Sequence, residues 1–248
     1  MNITIKNSEQ IEKMRASGKI LKQTLDLLEK SIYPGQTTQR LNDLAYNYII
    51  SQGATPSFLN YEGFPYTICA SLNAQVVHGF CSDIPLKEGD IISIDCGVIY
   101  KGYHSDAART FPVGNISIEN SNLIEATKQS FFEGIKDIKA GSRLGHISHK
   151  IQLYLESRGY GVVRELCGHG VGTHLHEDPL VPNYGKYNSG IVLEEGMTLA
   201  IEPMSTLGKR DVYLEDNDWT VTTQDGKPSA HYENTVLITK DGVEILTL

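Results

Sequence analysis

Cysteine is scarce in this chain: Cys69, Cys81, Cys96 and Cys167 are the only four in 248 residues, and no two form a CxxC pair. That spacing excludes a zinc ribbon. Few, scattered thiols fit a reducing compartment rather than a disulfide-stapled secreted domain. The start, Met1-Asn2-Ile3-Thr4-Ile5-Lys6, lacks the apolar run of a signal peptide, and no stretch approaches the length of a membrane span. A cytoplasmic protein without membrane contact is expected. Positive charge is also short: 22 Lys and Arg stand against 30 Asp and Glu, a net charge of −8. A surface that tracks nucleic-acid phosphates is therefore not expected, and Lys19, Lys22 and Lys30 read as a solvated helix face. There is no low-complexity tract or linker. Residues 1–248 are read as one domain, long enough for a sizeable core.

What is present begins with helices. Ile11, Met14, Ile20, Leu21, Leu25 and Leu28 recur at helical spacing, which predicts a helix over 8–30 with Ser8 as its N-cap. Pro34-Gly35 breaks the chain. Thr37 or Thr38 caps a second helix running to about Gln52, and Gly53 ends it. The same pattern then returns. Ile32-Tyr33-Pro34-Gly35 resembles Ile138-Lys139-Ala140-Gly141, and Tyr48 to Gly53 resembles Tyr154 to Gly159, both 106 residues on. Leu86-Lys87-Glu88-Gly89 with Ile94-Asp95 resembles Leu193-Glu194-Glu195-Gly196 with Ile201-Glu202, 107 residues on. A nearly constant offset predicts an internal duplication, with halves at roughly 8–113 and 114–248. Each half is a helical pair followed by strands, an α+β architecture.

The richest stretch is Ile91 to Asp106. Its β-branched run and the pair Lys101-Gly102 predict a hairpin in which Tyr100 pairs with Tyr103 and Asp106 lies opposite Gly97. Asp95 and Asp106 then share one face as a diagonal pair, about 7–8 Å apart at Cα. Ile92, Ile94 and Cys96 point to the other face. Carboxylates that close repel unless a cation sits between them, and two-metal sites have ions about 3.5–4 Å apart. The alternative is an exposed hairpin with solvated acids. The duplication sets Glu202 where Asp95 stands in the first half, among the small residues Thr198 and Ala200. Its hairpin partner would be Glu233, in the strand-like run His231 to Ile238. Four carboxylates in one cleft call for about two divalent ions. His169, in the glycine-rich turn Cys167-Gly168-His169-Gly170-Val171-Gly172, would supply a nitrogen ligand; otherwise it is an ordinary loop residue.

Asp95, Asp106, His169, Glu202 and Glu233, in that order and spacing, resemble the five metal ligands of methionine aminopeptidases of the short bacterial type. Ile94-Asp95, Gly102-Tyr103-His104-Ser105-Asp106, Gly168-His169-Gly170-Val171-Gly172, His176-Glu177-Asp178-Pro179 and Ile201-Glu202-Pro203 carry the likeness, which covers essentially the whole chain. It implies the pita-bread (creatinase/aminopeptidase-like) α+β fold, two pseudo-symmetric halves around an antiparallel sheet. It also implies two divalent metal ions per chain: Asp95 on one, Asp106 and Glu233 bridging both, His169 and Glu202 completing the other. Mn, Fe(II) or Co(II) suits this donor set. A bridging water would be the nucleophile and Glu202 its proton shuttle. His78 and His176 match the family's two non-ligand histidines, which bind substrate and stabilise the tetrahedral intermediate.

By the same resemblance Tyr61, Phe64, Cys69, Leu175 and Trp219 would form an apolar pocket for the methionine side chain. Two positions depart from the family pattern: Leu175 stands where an aromatic residue is common, and Phe58 where a small one is common. The implied activity is removal of the N-terminal methionine from nascent polypeptides when the second residue is small. The implied state is a monomer, and trimming of nascent chains allows a contact near the ribosome exit tunnel, which the negative charge does not suggest. Rival readings are a proline-specific peptidase of the same fold, which usually carries a large N-terminal domain, and a non-catalytic relative, which typically has lost ligands.

Overall fold

The computed structural model describes residues 2–248. Among the described residues there are four α-helices, α1 (Ser8–Glu29), α2 (Thr38–Ser51), α3 (Ile118–Ile135) and α4 (Leu144–Glu156), and one short 3-10 turn, Tyr61–Gly63. The cap of α1 is Asn7, one residue before the expected Ser8. Asn7 accepts from the Gln10 N–H, and the Gln10 side chain returns a bond to Asn7 N, so this reciprocal pair rather than Ser8 closes the helix end. The second helix is capped by Thr37, whose Oγ1 accepts from Arg40 N at 3.3 Å. On α1, Met14, Leu21 and Leu28 are fully buried, each burial contributing about 1.5–3 kcal/mol.

Every ladder between the described strands is antiparallel, and the isolated bridge between Ile3 and Asp178 is parallel. Among the described residues the ladders divide into four sheets. Two large apolar cores draw on different stretches of the chain. One packs Leu21, Leu25 and Leu41 against Ile92, Ile94 and Cys96; the other packs Phe131, Ile147 and Ile151 against Leu199 and Ile201. The halves are joined along the strands Tyr103–Pro112 and Asn234–Ile238. Thr235 Oγ1 accepts from Asp106 N and donates to Asp106 O, both at 2.8 Å. Glu233 N donates to Ala108 O at 2.9 Å. Arg109 donates to the carbonyl of Glu233 and, at 2.6 Å, to Asn234 Oδ1.

We propose that the halves are copies of one unit, and matched turns support this. Gly35 N donates to Leu86 O and Gly141 N to Leu193 O, both at 2.8 Å. Both glycines are left-handed, with φ 97° and 91°, a conformation that disfavours any residue with a Cβ.

Candidate active site

The hairpin of strands Ile91–Tyr100 and Tyr103–Pro112 has the expected register, with Tyr100 opposite Tyr103 and Gly97 opposite Asp106. Lys101 and Gly102 both have positive φ, 49° and 79°, as a two-residue turn with the twist of its strands requires. One face of Ile91–Tyr100 buries Ile92, Ile94 and Cys96 in the first core. The other presents Asp95 to the cavity.

The second carboxylate pair does not come from a hairpin. Strands Thr198–Ile201 and Asn234–Ile238 pair up to Ile201↔Asn234, and Met204–Thr206 with Ser229–His231 resumes at Met204↔His231. Both ladders keep one register, so Glu202 faces Glu233 across the break at Pro203. Between them the chain makes an excursion whose strands Val212–Leu214 and Val221–Thr223 extend from Gln75–Val77. That excursion delivers Trp219 to the rim beside His78, with ring centroids 6.4 Å apart.

His169 is on a strand, Cys167–Gly170, rather than in a turn; it pairs with Ala200 on one side and Leu180 on the other. The flanking glycines are spacing devices. A Cβ on Gly168 would strike Ala200 O, and one on Gly170 would strike Asp178 O. His169 Nδ1 lies 2.8 Å from Gly170 O. If Nδ1 donates to that carbonyl, Nε2 is left as an acceptor facing Asp106 Oδ2 at 3.7 Å and Glu202 Oε1 at 3.9 Å.

All twelve residues singled out in the sequence line one cavity of about 160 Å³, together with Phe58 and Glu62. One end is polar and the other apolar. Asp106, His169 and Glu233 bring ligand atoms within 4.8 Å of one another. Phe58, Phe64, Cys69 and Leu175 form a buried cluster edged by Tyr61 and Trp219. Phe64 meets Trp219 edge-on with centroids 5.1 Å apart. His176 stands at the junction, exposed, with Nδ1 2.8 Å from the Tyr61 hydroxyl. His78 holds a left-handed backbone, φ 57°, and its carbonyl accepts from Thr220 Oγ1 at 3.2 Å. Such strain costs about 1–3 kcal/mol.

No lysine or arginine lines the cavity. Burial drives the Asp95 carboxyl up to about 7, with Glu202 adding to the rise. Burial alone takes Glu202 up to about 8. Asp106 and Glu233 are held far above the carboxylate range, first by burial and then by the neighbouring acids. Burial pushes His169 down to about 3, so it is neutral. Asp95 Oδ1 and Asp106 Oδ1 are buried without a hydrogen-bond partner. Two buried and two half-buried acids, two orphaned oxygens and one neutral imidazole fit a divalent cation: the charge and the empty lone pairs both call for one.

Several contributing residues were not singled out. His231 is buried with Nε2 3.4 Å from Glu202 Oε2 and 3.9 Å from Glu233 Oε2. Its signal was available, since it precedes Glu233 by two and so shares its face. Asn183 donates to Glu202 O at 2.8 Å, and Ser57 Oγ lies 3.0 Å from His104 Nδ1. Neither contact has a local sequence signature.

Fold and donor set define a class of metallohydrolase. Residues 12–240 match the profile of metallopeptidase family M24, and the chain belongs to that family. Its relatives within the family are specific. It is 55% identical over 247 residues, 99% of each chain, to a methionine aminopeptidase of Clostridium acetobutylicum. It superposes on the crystal structure of methionine aminopeptidase from Rickettsia prowazekii with a TM-score of 0.98, at 44% identity over 100% of both chains. A prolidase from Pyrococcus furiosus shares the fold alone, with a TM-score of 0.79 at 24% identity over 98% of this chain and 65% of that one. The fold is the pita-bread fold.

Proposed function

We propose that this protein is a metal-dependent aminopeptidase that removes the N-terminal methionine from nascent polypeptides when the second residue is small. The observation that carries the reading is the two-ended cavity. An unbranched thioether side chain suits the apolar end formed by Phe64, Cys69, Leu175 and Trp219. A peptide so seated has its first carbonyl beside the acids. Asp95, Asp106, His169, Glu202 and Glu233 are the residues that would hold divalent metal, two ions in our reading and Mn, Fe(II) or Co(II) by donor type. Bound there, such ions supply Lewis acidity and an acidified water.

The chain's own groups do the rest. Glu202, whose affinity for a proton is raised by burial, takes a proton from the attacking water and passes it to the leaving amine. His176 and His78 flank the scissile carbonyl and donate to the oxygen as charge develops there. The rest of the peptide runs along the adjoining cleft of about 590 Å³, past Leu166, Cys167, Leu180 and Met204. Four unpaired cysteines support a reducing, cytoplasmic setting. No helix among the described residues is long and apolar enough to cross a membrane.

The test is a peptide set: Met-Ala-Ser, Met-Lys-Ser and an Xaa-Pro peptide, with kcat/KM measured on metal-loaded protein. Cleavage of Met-Ala-Ser at least about 10²-fold faster than Met-Lys-Ser is expected, because an oversized second residue displaces the carbonyl by about 1 Å. Equal rates, or preference for the Xaa-Pro peptide, would sink the proposal.

A further inference from the structure

The stretch between Val171 and His176 carries two cavity residues, Leu175 and His176, yet forms no helix or strand. No ladder runs through it; two single backbone bonds, His104 N to Gly172 O at 2.7 Å and Gly172 N to His174 O at 3.0 Å, are joined by side-chain anchors. The principal anchor is Glu177. Its Oε2 accepts from Lys6 Nζ at 2.7 Å and from Thr4 Oγ1 at 2.5 Å. Its Oε1 accepts from the loop itself, from His174 N at 3.1 Å and Thr173 Oγ1 at 3.4 Å. The two charged side chains are only 4% and 6% exposed. The N-terminal segment is fastened beside them: Ile3 bridges to Asp178, and Lys6 N donates to Gly196 O at 2.9 Å. Gly172 leaves them room, since a Cβ there would sit 2.6 Å from both Glu177 Oε1 and Lys6 Cε.

We infer that Lys6 is a positioning residue for the proposed reaction: through Glu177 it sets the loop that holds His176 and Leu175 at the cavity. Lys6 does not line the cavity, so it acts through its partner. The carboxylate is ionised, held down at about 2 by the bonds from Lys6, Thr4 and His174 against its burial. Removing Lys6 leaves a buried charge uncompensated, which is strongly destabilising. The loop must then open to hydrate Glu177, and His176, the next residue, moves with it. The inference rests on the reading of His176 given above.

The test uses full-length, metal-loaded protein and Met-Ala-Ser. Lys6→Met should lower kcat on the order of 10-fold or more with metal content unchanged, as expected for a displacement of under about 1 Å. In a His176→Ala background the same change should cost less than about 2-fold, because the group it positions is gone. The double variant Lys6→Met/Glu177→Leu replaces the ion pair with apolar groups, so thermal stability should return. Its kcat should stay low, because His174 N and Thr173 Oγ1 still lack their acceptor. This variant also covers the case in which Lys6→Met alone does not fold. Recovery of kcat together with stability would overturn the inference, and so would an undiminished Lys6→Met effect in the His176→Ala background. Full kcat in Lys6→Met beside a crippled His176→Ala would fall on Lys6 alone. Full kcat in His176→Ala would remove the reading of His176 and the inference with it.

Discussion

The Tyr61 hydroxyl and His176 Nδ1 lie 2.8 Å apart, and their rings meet edge-on at 5.3 Å. When Tyr61 donates to Nδ1, the neutral imidazole keeps its hydrogen on Nε2 and has a donor to offer a developing oxyanion. Desolvation by the cleft walls lowers the affinity of His176 for a second proton. His176→Ala is therefore expected to lower kcat by about 10²–10³ while bound metal is unchanged. Loss of metal, read by elemental analysis of the purified variant, would instead make His176 a ligand.

Asp106 is 3% exposed and belongs to the trio with His169 and Glu233. Asp106→Asn keeps the shape and removes one charge. Activity is expected to be abolished and metal affinity to drop sharply, as measured by titration calorimetry. A variant retaining tight metal and near-normal turnover would remove the shared-carboxylate site.

The acids give the metal-free protein a pH dependence of definite sign. Unfolded carboxyls titrate near about 4, whereas folded Asp95 and Glu202 hold protons up to about 7 and 8. Between pH 6.5 and 8.5 the native state binds more protons than the unfolded one, so stability falls as pH rises. The histidines depressed by burial, His169 at about 3 and His78, His104 and His231 at about 4, are neutral in the native state and titrate at about 6.5 when unfolded, so they weaken the decline only at the lower end of the window. Metal requires the ionised acids and should reverse the trend. In chelator Tm should decline from pH 6.5 to 8.5, and saturating Mn or Co should abolish the decline. A chelated protein whose Tm rises across that range contradicts the assignment.

Phe58 is 7% exposed and lies against the strand that carries Asp95: a Cβ on Gly97 would fall 2.8 Å from its ring. It fills volume in the pocket lining while Leu175, in the same cluster, is aliphatic. Phe58→Ala should cost about 3–5 kcal/mol in stability and enlarge the pocket. The ratio of kcat/KM for Met-Ala-Ser over Phe-Ala-Ser should fall by about 10-fold or more, the scale of lost hydrophobic complementarity. An unchanged ratio in a folded variant would mean that Phe58 does not bound the pocket.

Local chemistry alone made much of this protein legible. The register that sets Asp106 opposite Gly97 follows from two residues, Lys101 and Gly102, because a tight turn leaves no freedom in the count. The alternation of Ile92, Ile94 and Cys96 with Asp95 fixed which face each side chain takes. The recurrence of Leu86-x-x-Gly89 at Leu193-x-x-Gly196 points to Glu202, which lines the cavity.

Where pattern misled, the cause was long-range. Gly168 and Gly170 suggested a turn, yet they serve a strand squeezed between Ala200 and Asp178, and nothing near them in the chain reports those neighbours. Glu202 and Glu233 suggested one hairpin, yet the chain leaves between them to build the wall that carries Trp219. Periodicity reports that a face will be buried, not which other face it meets. The junction of Asp106 with Thr235 spans 129 residues and that of Lys6 with Glu177 spans 171. Those partners were decided by side-chain shape, by the need to pair every buried charge and by the closing of two cores on one seam, which only the assembled chain contains.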